Sequence, residues 1–401
     1  MKDADSLSLR QVLFLLFTIA CLICIPFITL YVLMDGHIPP DLFDYPPTTP
    51  PPSGKPGMNL ISILVCLLIV SPIILIYIYP KIFGFKKKEE VPENILTKKY
   101  LPVWFWVGLI MFGSVLFLFS IQASEPKWIL NWGLIPLFWG FILFLDGILF
   151  YINDGVSLLS KSPTELIALG AVSISGWLYF DYLNFFIEQN WFYPKASLIS
   201  EDKNIFFMYA VIGSSGFIPM AFEWYFLLRK VKVFNTKYKH GPKINTPKWL
   251  LYAILILSGF LLVELVRYPD TLYCLVWVAP LMMLASILAI LGIWTPFTPI
   301  KEGDWTAFLV FALTFLIQGI FLEMWNYMSA HHIDGKLETT YNCAYWIYCV
   351  PYVNDVCKIF EMPFFGYFGY LFFSIHCYLW WVLLSNLLGI SSKFVNLPEF
   401  K

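Results

Sequence analysis

Two stretches of this 401-residue chain place an acid and an amide three residues apart inside an apolar run. Residues 176–184 read Gly-Trp-Leu-Tyr-Phe-Asp-Tyr-Leu-Asn, and residues 319–326 read Gly-Ile-Phe-Leu-Glu-Met-Trp-Asn. On a helix this spacing sets Asp181 with Asn184, and Glu323 with Asn326, on one face. Ionisable groups inside a bilayer are costly, so a recurring pair of them marks a candidate site. The chemistry open to such residues is proton transfer, with Asp181 and Glu323 as acid and base and the two amides orienting them.

The match continues past the acids. Trp191-Phe192-Tyr193-Pro194 follows the first pair, and Trp346-Ile347-Tyr348, with Pro351 close behind, follows the second. Gly216, Glu223 and Tyr225 are then echoed by Gly369, His376 and Tyr378 at the same spacing. Three landmarks in one order predict an internal duplication, with copies at about 164–228 and 305–388. Two predicted spans separate the copies, so both enter the membrane in the same direction, as parallel repeats do. Glu223 and His376 are candidate proton relays. Trp191, Tyr193, Trp346 and Tyr348 suit either an interfacial aromatic belt or a lid over a substrate.

These motifs must be carried by membrane helices. The chain is 59% hydrophobic, 19% aromatic and only 13% charged, against about a quarter charged in soluble proteins. Apolar runs of spanning length recur at 11–34, 59–79, 103–121, 133–152, 164–187, 204–228, 249–266, 271–294, 305–327 and 364–388. The prediction is an all-α polytopic membrane protein with about ten spans. Residues 1–102 read as a peripheral hairpin, with a proline-rich loop at 35–57 and a lysine-rich loop around Lys86-Lys87-Lys88. Residues 103–401 form the eight-helix core. The proline-rich loop predicts an extended linker without chemistry. Nineteen of the 26 Lys and Arg fall on the side of the N-terminus, which predicts cytoplasmic termini and a cytoplasmic (inner) membrane location. The net charge of −1 gives no reason to expect a nucleic-acid partner.

That topology sets Asp181, Glu323 and Glu264 at similar depth, which predicts a polar cavity open to the outside. Glu264 with Arg267 also fits a plain i,i+3 ion pair. Asp146, in Leu145-Asp146-Gly147, lies toward the cytoplasmic end of its span. Glu361, ahead of Met362-Pro363, reads as an acid at a helix N-terminus. Cys343, Cys349 and Cys357 share one external loop, where one disulfide could form and leave one thiol over. His331, His332 and Asp334 precede them, but the spacing fits no standard zinc template, so no metal and no cofactor is expected. No phosphate-binding glycine loop, His-Glu-x-x-His or Gly-x-Ser-x-Gly is present.

Trp132 through Gly147, the Asp181-x-x-Asn184 and Trp191-Phe-Tyr stretches, and Phe360-Glu-Met-Pro-Phe-Phe-Gly-Tyr-Phe-Gly-Tyr370 together resemble an uncharacterised family of bacterial multi-pass membrane proteins. The likeness spans about residues 130–380. It implies Glu where Asp181 and His376 stand here. The order of a Trp/Pro/Asp helix and an acid-bearing helix is also similar in layout to the membrane lycopene cyclases, although their Pro-x-Glu-Glu helix has no counterpart.

Three function classes follow as expectations. The first is a membrane-embedded acid/base enzyme acting on a lipid or isoprenoid, with Trp191, Tyr193, Trp346, Tyr348, Glu264 and Glu361 near the substrate. The second is a proton- or cation-coupled transporter. The third is a structural protein of the envelope. Membrane lipids are partners in all three.

Overall fold

The computed structural model describes residues 7–38, 44–86 and 100–400; Lys87 and Lys88 of the basic loop lie outside the described residues. Fourteen α-helices carry the described chain: α1 (Leu9–Leu33), α2 (Leu60–Ile78), α3 (Val103–Ser120), α4 (Lys127–Asn131), α5 (Leu134–Ile152), α6 (Leu158–Lys161) and α7 (Pro163–Leu183). There follow α8 (Lys203–Ser214), α9 (Phe217–Lys230), α10 (Lys232–Lys237), α11 (Lys248–Arg267), α12 (Leu275–Ile290), α13 (Thr306–Met328) and α14 (Gly369–Leu387). Among the described residues nine spans are long and apolar enough to cross a membrane, with α8 and α9 together making one and a 3-10 turn extending α14. The tenth predicted span is the shorter α12, interrupted by Pro280. The protein is an all-α polytopic membrane protein.

Water cannot satisfy backbone groups at membrane depth, so helix breaks there need internal partners. The break between α8 and α9, at Ser215-Gly216, finds one in Ser173 of α7. Its hydroxyl donates to the Ser214 carbonyl at 2.5 Å and accepts the Ile218 amide at 3.0 Å. The Trp139 indole N–H reaches Ser215 Oγ at 2.9 Å.

Helix α7 ends in a π-turn over Asn184–Glu188, and Gln189 follows in the left-handed region at φ 48°. Beyond it lies β1 (Trp191–Phe192). The 329–363 segment holds β2 (Ala330–Ile333), β3 (Lys336–Thr340), β4 (Ile347–Tyr348), β5 (Lys358–Ile359) and β6 (Met362–Pro363), with β2–β3 and β5–β6 as hairpins. Strand β1 pairs antiparallel with the distant β4, in the register Trp191↔Tyr348 and Phe192↔Ile347.

The first two long helices are peripheral but anchored separately. Helix α1 packs along α11 and α12, while α2 lies against the turn that opens α14. The proline-rich segment is not a bare linker. The Pro47 carbonyl accepts the Tyr193 amide at 2.7 Å, the Pro56 carbonyl accepts the Tyr352 amide at 2.8 Å, and Lys55 pairs with Asp270 at 2.7 Å. Proline carbonyls remain free acceptors, so a proline-rich strap can dock by its oxygens although it lacks donors.

Helices α3 and α5 cross at Gly108 and Gly140. A Cβ on Gly108 would lie 2.5 Å from the Gly140 carbonyl oxygen, and one on Gly140 would lie 2.6 Å from the Phe112 amide. Membrane helices gain from such close approach because lipid leaves packing as the main attraction between them. Gly140→Leu is expected to part α3 from α5 and lower the thermal midpoint in detergent by several degrees, whereas Gly113→Leu, with open space around it, should not. Equal midpoints for the two variants would refute this crossing.

Candidate functional site

The Asp181 carboxyl is buried at the end of α7 and accepts three hydrogen bonds. Tyr45 OH donates to Oδ2 at 3.0 Å; the Trp191 indole N–H and Tyr193 OH donate to Oδ1 at 3.2 and 3.1 Å. The Glu323 carboxyl, buried in α13, also accepts three. The Trp346 indole N–H donates to Oε2 at 3.3 Å, and Tyr348 OH and Tyr370 OH donate to Oε1 at 2.8 and 2.7 Å. Each acid therefore holds the Trp and Tyr of its own Trp-x-Tyr segment, and the two segments pair with one another as β1 and β4.

The amides hold backbone, not the acids. Asn184 donates to the Trp191 carbonyl at 2.9 Å and accepts the Trp191 amide at 3.1 Å; Asn326 does the same to Trp346, at 2.9 and 3.1 Å. The expected orienting role of Asn184 and Asn326 toward the carboxylates is corrected accordingly. An amide has one donor side and one acceptor side, which match one residue's C=O and N–H. Trp191 and Tyr193 are buried and turned inward, as a belt residue would not be.

The two clusters differ in their third donor. Trp177 and Gly319 each sit four residues before their acid. Trp177 stacks on Phe217 (centroids 4.4 Å apart, planes 19°), which occupies the position after Gly216. In the other cluster the position after Gly369 is Tyr370, and its ring lies where a Cβ on Gly319 would go. Gly319 thus admits a tyrosine that bonds Glu323 from within the core. In the first cluster Trp177 and Phe217 fill that space and supply no hydroxyl, so the donor comes from Tyr45 on the proline-rich strap. Burial, then the adjacent Asp181 charge, pushes the Tyr45 and Tyr193 hydroxyls well above their usual range; burial and then Glu323 do the same to Tyr348. They remain donors at any physiological pH.

A cavity of about 260 Å³ lies against this frame. Trp177, Trp191, Trp277, Trp346, Tyr348 and Tyr370 line it, with Cys66, Ile69, Val70 and Ile73 of α2 as one wall. Among the lining residues Asp181 is the one carboxyl, and none is Lys, Arg or His. The expected polar cavity with three acids at one depth is therefore corrected to an aromatic cavity with one. Glu323 is wrapped by its own donors, and Glu264 pairs with Arg267 at 3.1 Å.

The remaining candidates lie elsewhere. Glu223 faces Asp146, and neither of its oxygens has a hydrogen-bond partner by geometry. His376 is buried beside the rings of Tyr179 and Trp380, with both nitrogens unpartnered. No contact joins Glu223 or His376 to Asp181 or Glu323. Glu361 is not a helix N-terminal acid; it sits in the turn of the β5–β6 hairpin and accepts from Tyr345 OH and from His332 Nε2, the latter at 3.2 Å. Cys343, Cys349 and Cys357 are free thiols, and no group of three or more potential metal ligands occurs among the described residues. Sequence reasoning missed Tyr45 and Tyr370; the weak available signal was Tyr370 standing next to Gly369. No family model, curated protein or solved structure matches the chain.

Two measurements check this geometry. Tyr370→Phe removes one bond to a buried carboxyl and should cost about 1–3 kcal/mol in detergent unfolding, and Tyr45→Phe less, since its strap can readjust; the reverse order would refute the assignment. Burial pushes the Cys343 and Cys349 thiols up to about 12 and about 11, so at pH 8 almost no thiolate is present at either. Of the three loop thiols maleimide should label exposed Cys357 first, and prompt labelling of Cys343 would contradict the packed loop.

Proposed function

We propose that this protein is a membrane-embedded acid/base enzyme that takes the apolar chain of a lipid or isoprenoid into the aromatic cavity and exchanges a proton with it at Asp181. The observation that carries the reading is Asp181 as the one carboxyl among the residues lining a cavity otherwise walled by aromatic and aliphatic groups. At about 260 Å³ the space exceeds the roughly 150 Å³ that holds a benzene, and lies near the lower end of ligand pockets, about 300–1,000 Å³. It suits one end of a chain rather than a whole lipid. Without a lining Lys or Arg it offers no cation to a phosphate. Indole and phenol faces stabilise positive charge, which forms when the π pair of a carbon–carbon double bond in the chain takes the Asp181 proton and is discharged when a neighbouring carbon returns a proton to the carboxylate.

The asymmetry of the third donor divides the roles. The donors on Glu323 all belong to the core or to β4 and its flank, so Glu323 serves as the anchor of the frame. Asp181 takes one donor from a strap, and withdrawal of Tyr45 would free an oxygen for substrate. The shared use of a Trp-x-Tyr segment by each acid, and of an asparagine to hold that segment's backbone, supports an internal parallel duplication in which one copy kept the chemistry. The lysine and arginine bias supports cytoplasmic termini, which would put the cavity in the outer half of the cytoplasmic membrane.

Asp181→Asn, isosteric and still able to accept bonds, tests the reading. Wild type and variant are purified in mild detergent, and co-purifying and host-membrane lipids are compared by mass spectrometry. A lipid or isoprenoid bound by both proteins and converted only where the wild type is expressed is the expected result. Identical lipid profiles from two equally stable proteins would sink the enzyme reading.

A further inference from the structure

A second polar centre lies apart from the cavity. Asp146 of α5 is fully buried and well bonded: the Trp104 indole N–H and Ser157 OH donate to Oδ1 at 2.9 and 2.7 Å, and the Leu159 amide donates to Oδ2 at 2.8 Å. It thereby ties the turn that opens α6 to α5. Glu223 of α9, which packs on α5, is also fully buried; its carboxyl faces Asp146, and neither oxygen has a donor.

The other ionisable groups on elements packed against α9, His376 apart, have their partners elsewhere. Glu165 accepts the amides of Phe394 and Val395. Asp181 and Glu323 have their tryptophan and tyrosine donors. The His376 ring lies beside those of Tyr179 and Trp380, its two nitrogens without hydrogen-bond partners. Arg229 donates to Asn235, Tyr225 and the Phe400 carbonyl, and Lys237 to the Tyr77 carbonyl. Neither Asp146 nor Glu223 has a cationic partner.

Two facing carboxylates without a cation would leave two negative charges in the membrane interior, and the donors present serve only Asp146. A single proton removes one charge and turns the other repulsion into a hydrogen bond, with the protonated Glu223 oxygen donating to Asp146. We propose that Asp146 and Glu223 together form an intramembrane proton-binding site, Asp146 fixed by its three donors and Glu223 carrying the exchangeable proton. This goes beyond the cavity reading and does not depend on it.

Infrared spectroscopy of the purified protein in lipid at neutral pH tests the site. The carbonyl stretch of a protonated carboxyl is expected, shifting in D₂O, lost in Glu223→Gln and displaced in Asp146→Asn. Should Glu223→Gln fail to fold, wild type and Asp146→Asn labelled with carboxyl-¹³C glutamate carry the test, because the labelled band must move when Asp146 is changed. A band untouched by both substitutions, or absent from the wild type, overturns the proposal. Loss of the band on adding Na⁺ at constant pH overturns it too, since the occupant would then be a metal cation.

Discussion

Everything near the candidate site depends on two carboxyl groups that have no water to turn to. An ionised acid at the centre of a membrane helix costs about 2.5–3.5 kcal/mol. Hydrogen bonds from neighbouring donors offset part of that cost, and they hold the carboxyl in place whether it is ionised or keeps its proton. That requirement draws a tryptophan and a tyrosine back from beyond each helix end. It sets Asn184 and Asn326 to hold the returning backbone, and it brings the two Trp-x-Tyr segments close enough to pair as β1 and β4. The cavity is a by-product of this arrangement, because rings whose polar edges point at an acid must leave their apolar faces lining something.

The spans were legible in the sequence because bilayer thickness fixes a length and an apolar composition that few other constraints imitate. The acids, their amides and the Trp-x-Tyr segments were legible because each lies within a few residues of a recurring landmark. What the amides do was not legible. Helical spacing puts Asn184 beside Asp181, yet the π-turn and the left-handed Gln189 swing Trp191 under the amide instead. Tyr45 could not be found from spacing, since it reaches Asp181 from 136 positions away across a proline-rich segment that composition alone reads as inert. The aromatic character of the cavity was hidden for the same reason: it is set by which rings converge from α7, α12, β4 and the turn before α14.

The near-symmetry of the two clusters isolates the effect of one exchange. Where one cluster has tryptophan and phenylalanine, at 177 and 217, the other has glycine and tyrosine, at 319 and 370. The first combination stacks two rings and brings no hydroxyl to the acid; the second empties a position so that a ring bearing a hydroxyl can enter. Both satisfy packing, and they differ only in where the third hydrogen bond originates. A donor rooted in the core is lost only by unfolding. A donor on a surface strap is lost when the strap moves, at a cost near that of one hydrogen bond and a few proline-carbonyl contacts. On the proposed enzyme reading, function belongs with the acid whose satisfaction is conditional. Within this chain that condition is met at Asp181, where Tyr45 is the replaceable partner, and not at Glu323.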